Sequence, residues 1–256
     1  LGIIADSMDL RDLETRWYVL EGLKIENQKN DFLNELQERM ADEIHFGRTI
    51  TNVGWVLAPR INGVVRYGTE KATDPKPLPE EHTLQWEMAR VANNVKARQD
   101  TAVRKFMEQI IDKIDKQGLD KNTILFVDCT RLVDKKSVTG LVARKLTSKY
   151  LRPVVLLKEK SNSEFGGSCR GYDRGNIKNL KEFLEKTGLI SVMGHENAAG
   201  ISLKKDNVEA VISKCNEMLP LDQLKTVYQV DWEIPANEMQ VRFVKEVAEN
   251  YEVWGN

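Results

Sequence analysis

Histidine, cysteine and long apolar runs are all scarce in this chain, and each scarcity closes off a class of function. The three histidines, His45, His82 and His195, are too few and too dispersed for a self-contained multi-histidine metal site. The three cysteines, Cys129, Cys169 and Cys215, form no Cys-x-x-Cys pair and no even-numbered framework. Neither a thiolate zinc site nor a disulfide scaffold is expected, and the usage fits a reducing, cytoplasmic setting. No apolar stretch approaches the roughly 18 residues of a membrane-spanning helix, so no membrane partner is expected. No charged, apolar and small-residue leader opens the chain. Neither sign of charge dominates, with 38 Lys+Arg against 39 Asp+Glu, which excludes a uniformly basic coat for nucleic acid or membrane.

What is present is an ordinary globular composition: 256 residues, 41% hydrophobic and 30% charged, enough for one large domain or two modest ones. The balanced charge conceals a local bias. Residues 135–186 carry thirteen Lys/Arg against five Asp/Glu, whereas residues 206–256 carry four against ten. A basic middle followed by an acidic tail is a directional surface, and its basic part can face phosphates as readily as it can form a solvated helix face. The first residue, Leu1, already lies inside an apolar run, so the chain reads as a piece of something longer.

Residues 1–6 (LGIIAD) read as a buried strand end that delivers a carboxylate, Asp6. Leu13, Trp17 and Leu20 then follow helical spacing, as do Phe32, Leu36, Met40 and Ile44. The segment 55–68 (WVLAPRINGVVRYG) is too polar for a core strand and too punctuated by Pro59 and Gly63 for a long helix. Residues 69–81 hold three of the seven prolines and read as an exposed loop. The strongest periodicity runs from His82 to about Lys116, through Leu84, Met88, Val91, Val95, Ala102, Phe106, Ile110 and Ile114, until Gly118 stops it. A helix of that length is a candidate connector between two lobes. Beyond it the pattern alternates: strands at 124–128, 153–157 and 199–203, and helices at 137–150, 177–187 and from a cap at Asp206 through Met218. That order predicts a small α/β layer domain. Residues 227–234 read as a further strand, with no closing structure after it.

Two glycine-rich segments carry the most chemistry. In residues 166–170 (GGSCR) the glycines allow a tight turn, Ser168 offers a hydroxyl, and Arg170 offers a guanidinium suited to phosphate oxygens. In residues 194–200 (GHENAAG), His195 stands beside glycine and small residues that permit close approach. Either segment alone is commonly just a turn or a satisfied polar histidine.

Taken together, in this order and spacing, they resemble the DHH-associated domain of the DHH phosphoesterase superfamily, and specifically its RecJ-type single-strand exonucleases. Further segments resemble the same family in the same order. Residues 2–10 (GIIADSMDL) are similar to the last metal-binding motif of the DHH domain. Pro59-Arg60-Ile61-Asn62-Gly63 with Arg66 is similar to a PRIN segment, and Asn94 with Arg98-Gln99 to a connector motif. Gly140-Leu141-Val142-Ala143, Leu146 and Arg152-Pro153 match a helix and the strand after it. Tyr228–Asp231 is similar to the strand leading into an OB fold. There are departures: Asp134-Lys135 and Ser137 at a helix start, Cys169 and Met193 at two family glycines, and the proline-rich loop. They mark a divergent member, of the kind a phage carries.

The resemblance implies an α/β protein: the end of a parallel-sheet DHH domain (1–80), a long connector helix (81–118), a small α/β DHH-associated domain (119–220) and the start of an OB-like domain (221–256). It implies part of a metal-dependent 5′-to-3′ exonuclease hydrolysing single-stranded DNA in repair and recombination. Mn²⁺ or Mg²⁺ would be bound mostly by residues of a missing N-terminal DHH half, because no DHH tripeptide occurs here. By resemblance Asp6 is a metal ligand, Ser168 and Arg170 hold a terminal 5′ phosphate, and His195 is catalytic, near the scissile phosphate. Arg60, Asn62, Arg66, Arg98 and Gln99 line the nucleic-acid track. This chain alone is then expected to be inactive. The rival expectations are a non-catalytic single-strand-binding subunit and, against the PRIN and connector segments, a phosphodiesterase of cyclic dinucleotides or very short oligonucleotides.

Overall fold

The computed structural model describes residues 1–44, 48–68, 83–132, 138–228, 230 and 233–249. The proline-rich stretch 69–81, His45, His82 and the departures at 134, 135 and 137 lie outside these residues. The chain divides into two compact units, residues 1–99 with 231–256, and residues 100–230.

The described part of the first unit is helical. Residues 1–6 are not a strand: Gly2–Ala5 forms a short helix, α1, with Asp6 as its C-cap. Four consecutive apolar residues have no periodicity with which to separate the two possibilities, and only Ile4 of the four is buried. Helix α2 (Leu13–Leu23) is capped by Asp12, whose side chain accepts from the Thr15 N–H. It buries Val19, whereas Leu13 and Trp17 of the expected apolar stripe are exposed. Helix α3 (Asp31–Glu38) is capped by Asn30, and Leu36 and Met40 are buried as their spacing requires.

Thr49 caps α4 (Ile50–Asn52), which leads through a wide π turn at Val53–Leu57 into α5 (Ala58–Tyr67). Pro59 accounts for the wide turn. It offers no N–H and its ring crowds the carbonyl four residues earlier, so the ladder opens to a bond from the Ala58 N–H to the Val53 carbonyl. Within the first turn of α5 that proline is tolerated. The core of this unit gathers Leu36, Val53 and Leu57 with Ala89 and Ala92 of the long helix α6 (Leu84–Gln117). Along α6 the buried residues Ala92, Val95, Val103, Phe106, Ile110 and Ile114 recur mostly every three or four positions. Gly118, at φ 61°, ends it in the left-handed conformation that glycine adopts without strain.

The second unit holds a mixed five-stranded sheet: β1 (Leu125–Asp128), β2 (Val154–Glu159), β3 (Glu164–Arg170), β4 (Ile190–His195) and β5 (Ala198–Lys204), in the order β1-β2-β3-β5-β4. Strands β1 and β2 are parallel, and the remaining pairs are antiparallel. Helix α7 (Thr139–Tyr150) packs on β2 and β3. On the opposite face, Leu180 and Leu184 of α8 (Leu180–Glu185) and Val211 and Cys215 of α9 (Val208–Met218) join Val155, Cys169, Val192 and Ile201 in one core. Asp206 falls in a 3-10 turn rather than capping α9. The expected strand at 227–234 is absent from its described residues. Instead Thr226 bridges Gly175, and an unforeseen helix, α10, in the part of the chain that belongs to the first unit, spans Val241–Glu249 with Val241, Val244 and Val247 exposed.

Candidate nucleic-acid interface

The segment GGSCR is the second half of β3 and not a turn. Gly167 serves strand packing: a Cβ there would lie 2.1 Å from the Leu156 carbonyl oxygen of β2. The segment 194–200 is the tip of the β4–β5 hairpin, where Gly194 takes φ 135° and a two-residue turn, Glu196-Asn197, separates His195 from Ala198. That turn is pinned from outside. The Asn197 side chain donates to the Lys178 carbonyl and accepts from the Leu180 N–H. The Gly171 N–H donates to the Asn197 carbonyl, and a Cβ on Gly171 would strike the Asn197 side chain at 2.3 Å.

This register puts the two motifs on one surface. Residues paired across an antiparallel ladder project to the same face. Arg170 pairs with Ala198, and Ala198 with His195; one step along, Ser168 pairs with Gly200, and Gly200 with Met193. Between the β3 and β4 side chains stands only an alanine or a glycine of β5, so the face is a shallow trough. Strands about 4.8 Å apart place His195 roughly 10 Å from Arg170 across it. Ala198, Gly200, Met193 and His195 are exposed, whereas Ser168 and Arg170 are half-buried beside the first turn of α7.

Thr139 and Gly140, to which the sequence alone assigns no such role, complete the β3 end. The Thr139 and Ser168 hydroxyl oxygens are 3.1 Å apart. The Arg170 guanidinium donates to its neighbour's carbonyl, Cys169 O, at 2.7 Å and rests over Gly140, where a Cβ would come within 2.5 Å of Nη2. Val138 cannot cap α7 and makes no side-chain cap bond. A twelve-residue helix therefore presents its positive end beside Ser168 and Arg170. A hollow of ≈ 330 Å³ opens at this end, lined by Thr139, Lys158, Glu159, Lys160, Gly166, Gly167 and Ser168. Within it Glu159 is paired with Lys205, and Lys160 with Glu164 at 3.9 Å. A second, larger hollow of ≈ 940 Å³ reaches His195 and has an acidic bias: Arg144 is bound to Asp173 at 2.6 Å, and Lys181 shares the wall with Glu182, Glu185 and Glu196. The chemistry at the β3 end suits an anion with several oxygens.

The other expected site residues separate into buried and exposed sets. Arg60 is buried and engaged on all three nitrogens, with the Asn93 side chain (3.1 Å), the Val56 carbonyl (2.8 Å) and Glu43 (2.5 Å). Gln99 is buried too, with its amide oxygen 3.6 Å from where a Gly63 Cβ would stand. Both residues lie buried where α5 packs on α6. The reason is spacing: positions 60 and 63 face α6, whereas Asn62 and Arg66 point away and are exposed. Arg98 is exposed as well, with its Nε 3.4 Å from the Asn94 carbonyl.

Asp6 is exposed at the end of α1, just before Ser7 at φ 52°. Among the described residues no three His, Cys, Asp or Glu side chains gather closely enough to hold a metal ion. A lone carboxylate is one ligand of the roughly six that Mg²⁺ takes, so these residues do not by themselves fit a divalent ion. The cysteines offer no nucleophile. All three are buried, and burial pushes the thiols of Cys129 and Cys215 up to about 11 and about 12. Among the described residues no helix is long and apolar enough to cross a membrane.

No family model matches the chain. Two curated relatives from Bacillus subtilis strain 168 do. One, provisionally named the SPbeta prophage-derived single-strand DNA-specific exonuclease YorK, is 32% identical over 278 residues, covering 100% of this chain and 48% of the relative. The other, the single-stranded-DNA-specific exonuclease RecJ, is 27% identical over 257 residues, covering 96% of this chain and 31% of the relative. The chain thus spans about half or less of the curated relatives it matches. Among solved structures, the RecJ of Thermus thermophilus in complex with Mg²⁺ superposes with a TM-score of 0.69 at 20% identity, over 99% of this chain and 39% of that one. The fold is therefore that of a RecJ segment, and sequence similarity extends along the whole chain. Along its whole length, then, the chain is similar to part of the RecJ-type single-strand exonucleases.

Proposed function

We propose that this chain is the strand-holding part of a 5′-to-3′ exonuclease of single-stranded DNA, and that its second unit grips the terminal 5′ phosphate. The observation that carries this reading is the single sheet face on which Ser168, Arg170 and His195 meet the start of α7. A terminal phosphomonoester carries about −1.5 to −2 charges and three free oxygens. An internal diester carries one charge and two free oxygens. A guanidinium, a hydroxyl and a helix N-terminus together favour the former. Gripping the end rather than the middle of a strand sets polarity. His195, on the open side of the trough, is the catalytic candidate, close to the phosphates that follow. Asn62, Arg66 and Arg98 belong to a general backbone track, which reads charge and not sequence.

In this reading residues 1–80 end a DHH catalytic domain, 81–118 connect, 119–220 form the DHH-associated domain, and 221–256 begin the next one. Mn²⁺ or Mg²⁺ belongs to the intact enzyme, to which Asp6 would give one ligand. The curated relatives' names and the Mg²⁺ complex of the Thermus protein support the substrate and the cofactor class. Since Asp6 supplies one ligand of the several a divalent ion needs, this chain by itself is expected to bind DNA without cutting it.

The test is to incubate the purified chain with end-labelled single-stranded DNA and Mn²⁺ at several salt concentrations. Binding without mononucleotide release is expected. The logarithm of affinity should fall with log salt at a slope of about −0.7 per phosphate contacted. Metal-dependent release by the chain alone, or salt-independent binding, would overturn the assignment.

Gly140→Ala isolates the arginine's placement. The new methyl would meet only the far end of the Arg170 side chain, which can swing away, so thermal stability should hold or rise slightly, because alanine favours helix. The preference for a 5′-phosphorylated over a 5′-hydroxyl oligonucleotide should shrink severalfold. A variant that keeps the full preference would show that the guanidinium position over Gly140 is immaterial to binding.

A further inference from the structure

Met193 stands where an apolar side chain is hardest to explain. It lies within β4, yet it is 79% exposed. Its neighbours on that face are polar or very small: Ser191 and His195 on its own strand, and Ser202, Gly200 and Ala198 on β5. The core of the unit is on the other side of the sheet, where Val192 and Ile201 point, so Met193 contributes nothing to it. Directly across the ladder is Gly200, which has no side chain, and beyond Gly200 is Ser168. Strands are about 4.8 Å apart, and an extended methionine side chain is about as long. The thioether can therefore lie over Gly200 and reach toward the hydroxyl of Ser168 without obstruction. Methionine is also unbranched and polarisable, and sulfur packs favourably on aromatic faces.

We propose that Met193 is a further substrate-binding contact: an apolar rest for the nucleobase of the terminal nucleotide whose phosphate is held at Ser168 and Arg170. The inference rests on the phosphate reading above and extends it to the base. A phosphate anchored at Ser168 leaves its own sugar and base within one nucleotide's reach, over the trough that Gly200 keeps open. Every other residue named on this face offers hydrogen bonds, charge or only a very small side chain. Met193 alone among them offers an extended apolar surface that gains by covering a base. Such a contact is tolerant of sequence, because every base has a flat π face.

The experiment compares two 5′-phosphorylated oligonucleotides that differ only at the terminal nucleotide, one bearing its base and the other abasic. Binding to the chain is measured for wild type, Met193→Thr and Met193→Leu. Threonine keeps strand propensity but removes the long apolar reach, and leucine restores apolar bulk. Wild type should favour the base-bearing strand by about two- to tenfold, the range of a sulfur–aromatic contact. Met193→Thr should bind both strands alike, and Met193→Leu should recover most of the preference. A wild type that does not discriminate, or a Met193→Thr variant that discriminates equally well, would overturn the proposal. A 5′-hydroxyl, base-bearing strand run alongside separates the two layers. If the 5′ phosphate itself gives no advantage, it is the phosphate reading that fails. If the phosphate advantage stands while the base advantage is missing or insensitive to residue 193, only the role of Met193 fails.

Discussion

Arg170→Ala is expected to lower the affinity of this chain for a 5′-phosphorylated oligonucleotide by about ten- to a hundredfold, the cost of one charge-assisted contact. A 5′-hydroxyl strand of the same sequence should lose much less, since it never presented the doubly charged group to the guanidinium. Arg98→Ala provides the comparison. Arg98 is exposed, and under the proposed track its loss should weaken both strands by the same modest factor and flatten the salt dependence. Fluorescence anisotropy with the two strands and the two variants reads all four numbers. An equal loss on both strands for Arg170→Ala would move that arginine into the general track and remove the structural basis for polarity.

Gly167→Val should be the most damaging single change to the second unit. A Cβ at Gly167 would stand 2.1 Å from the Leu156 carbonyl oxygen, a backbone atom that cannot rotate aside. Either β2 and β3 separate or the bond pattern between them breaks. A cost of about 3 kcal/mol, at the upper end of usual overpacking penalties, is expected. It should appear as a fall of about 10 °C in the unfolding temperature of that unit. Gly166→Ala is the matched control. The nearest atom to its Cβ, the Ile201 carbonyl oxygen, is 3.7 Å away, so that change should shift the transition far less. Calorimetry of both variants decides whether the tight β2–β3 approach is real. Near-equal transitions would mean that the strands relax around a side chain at 167.

These glycines also show where sequence reading reaches its limit. Ser168, Arg170 and His195 can be named from their motifs, but the motifs look like turns because glycine is most familiar there. In β3, Gly167 instead permits strands to approach closely, a tertiary demand that no local pattern reveals. Strand β4 is hidden for a related reason. Its outward residues, Ser191, Met193 and His195, have no apolar cover, and only alternate positions such as Val192 face the core. By contrast, β1 and β2 are nearly wholly buried apolar runs, and the three- to four-residue spacing along α6 is sustained over many turns, so both are legible directly. Local apolarity misleads at α1, where four residues are too few to show a period. Arg60 and Gln99 look like surface recognition residues in isolation, and only the packing of α5 on α6 turns them inward. Thr139 is invisible as a site residue because its role comes from Ser168, 29 positions away.

The most direct measurement is end discrimination by the wild-type chain itself. One oligonucleotide sequence is prepared with a 5′ phosphate, with a 3′ phosphate and with hydroxyls at both ends, and the three dissociation constants are measured at one fixed salt concentration. The 5′-phosphorylated strand should bind about tenfold or more tightly than the other two, which should be alike within their small difference in charge. Equal affinity for all three, or a preference for the 3′ phosphate, would contradict the assignment of Ser168 and Arg170 to the 5′ end.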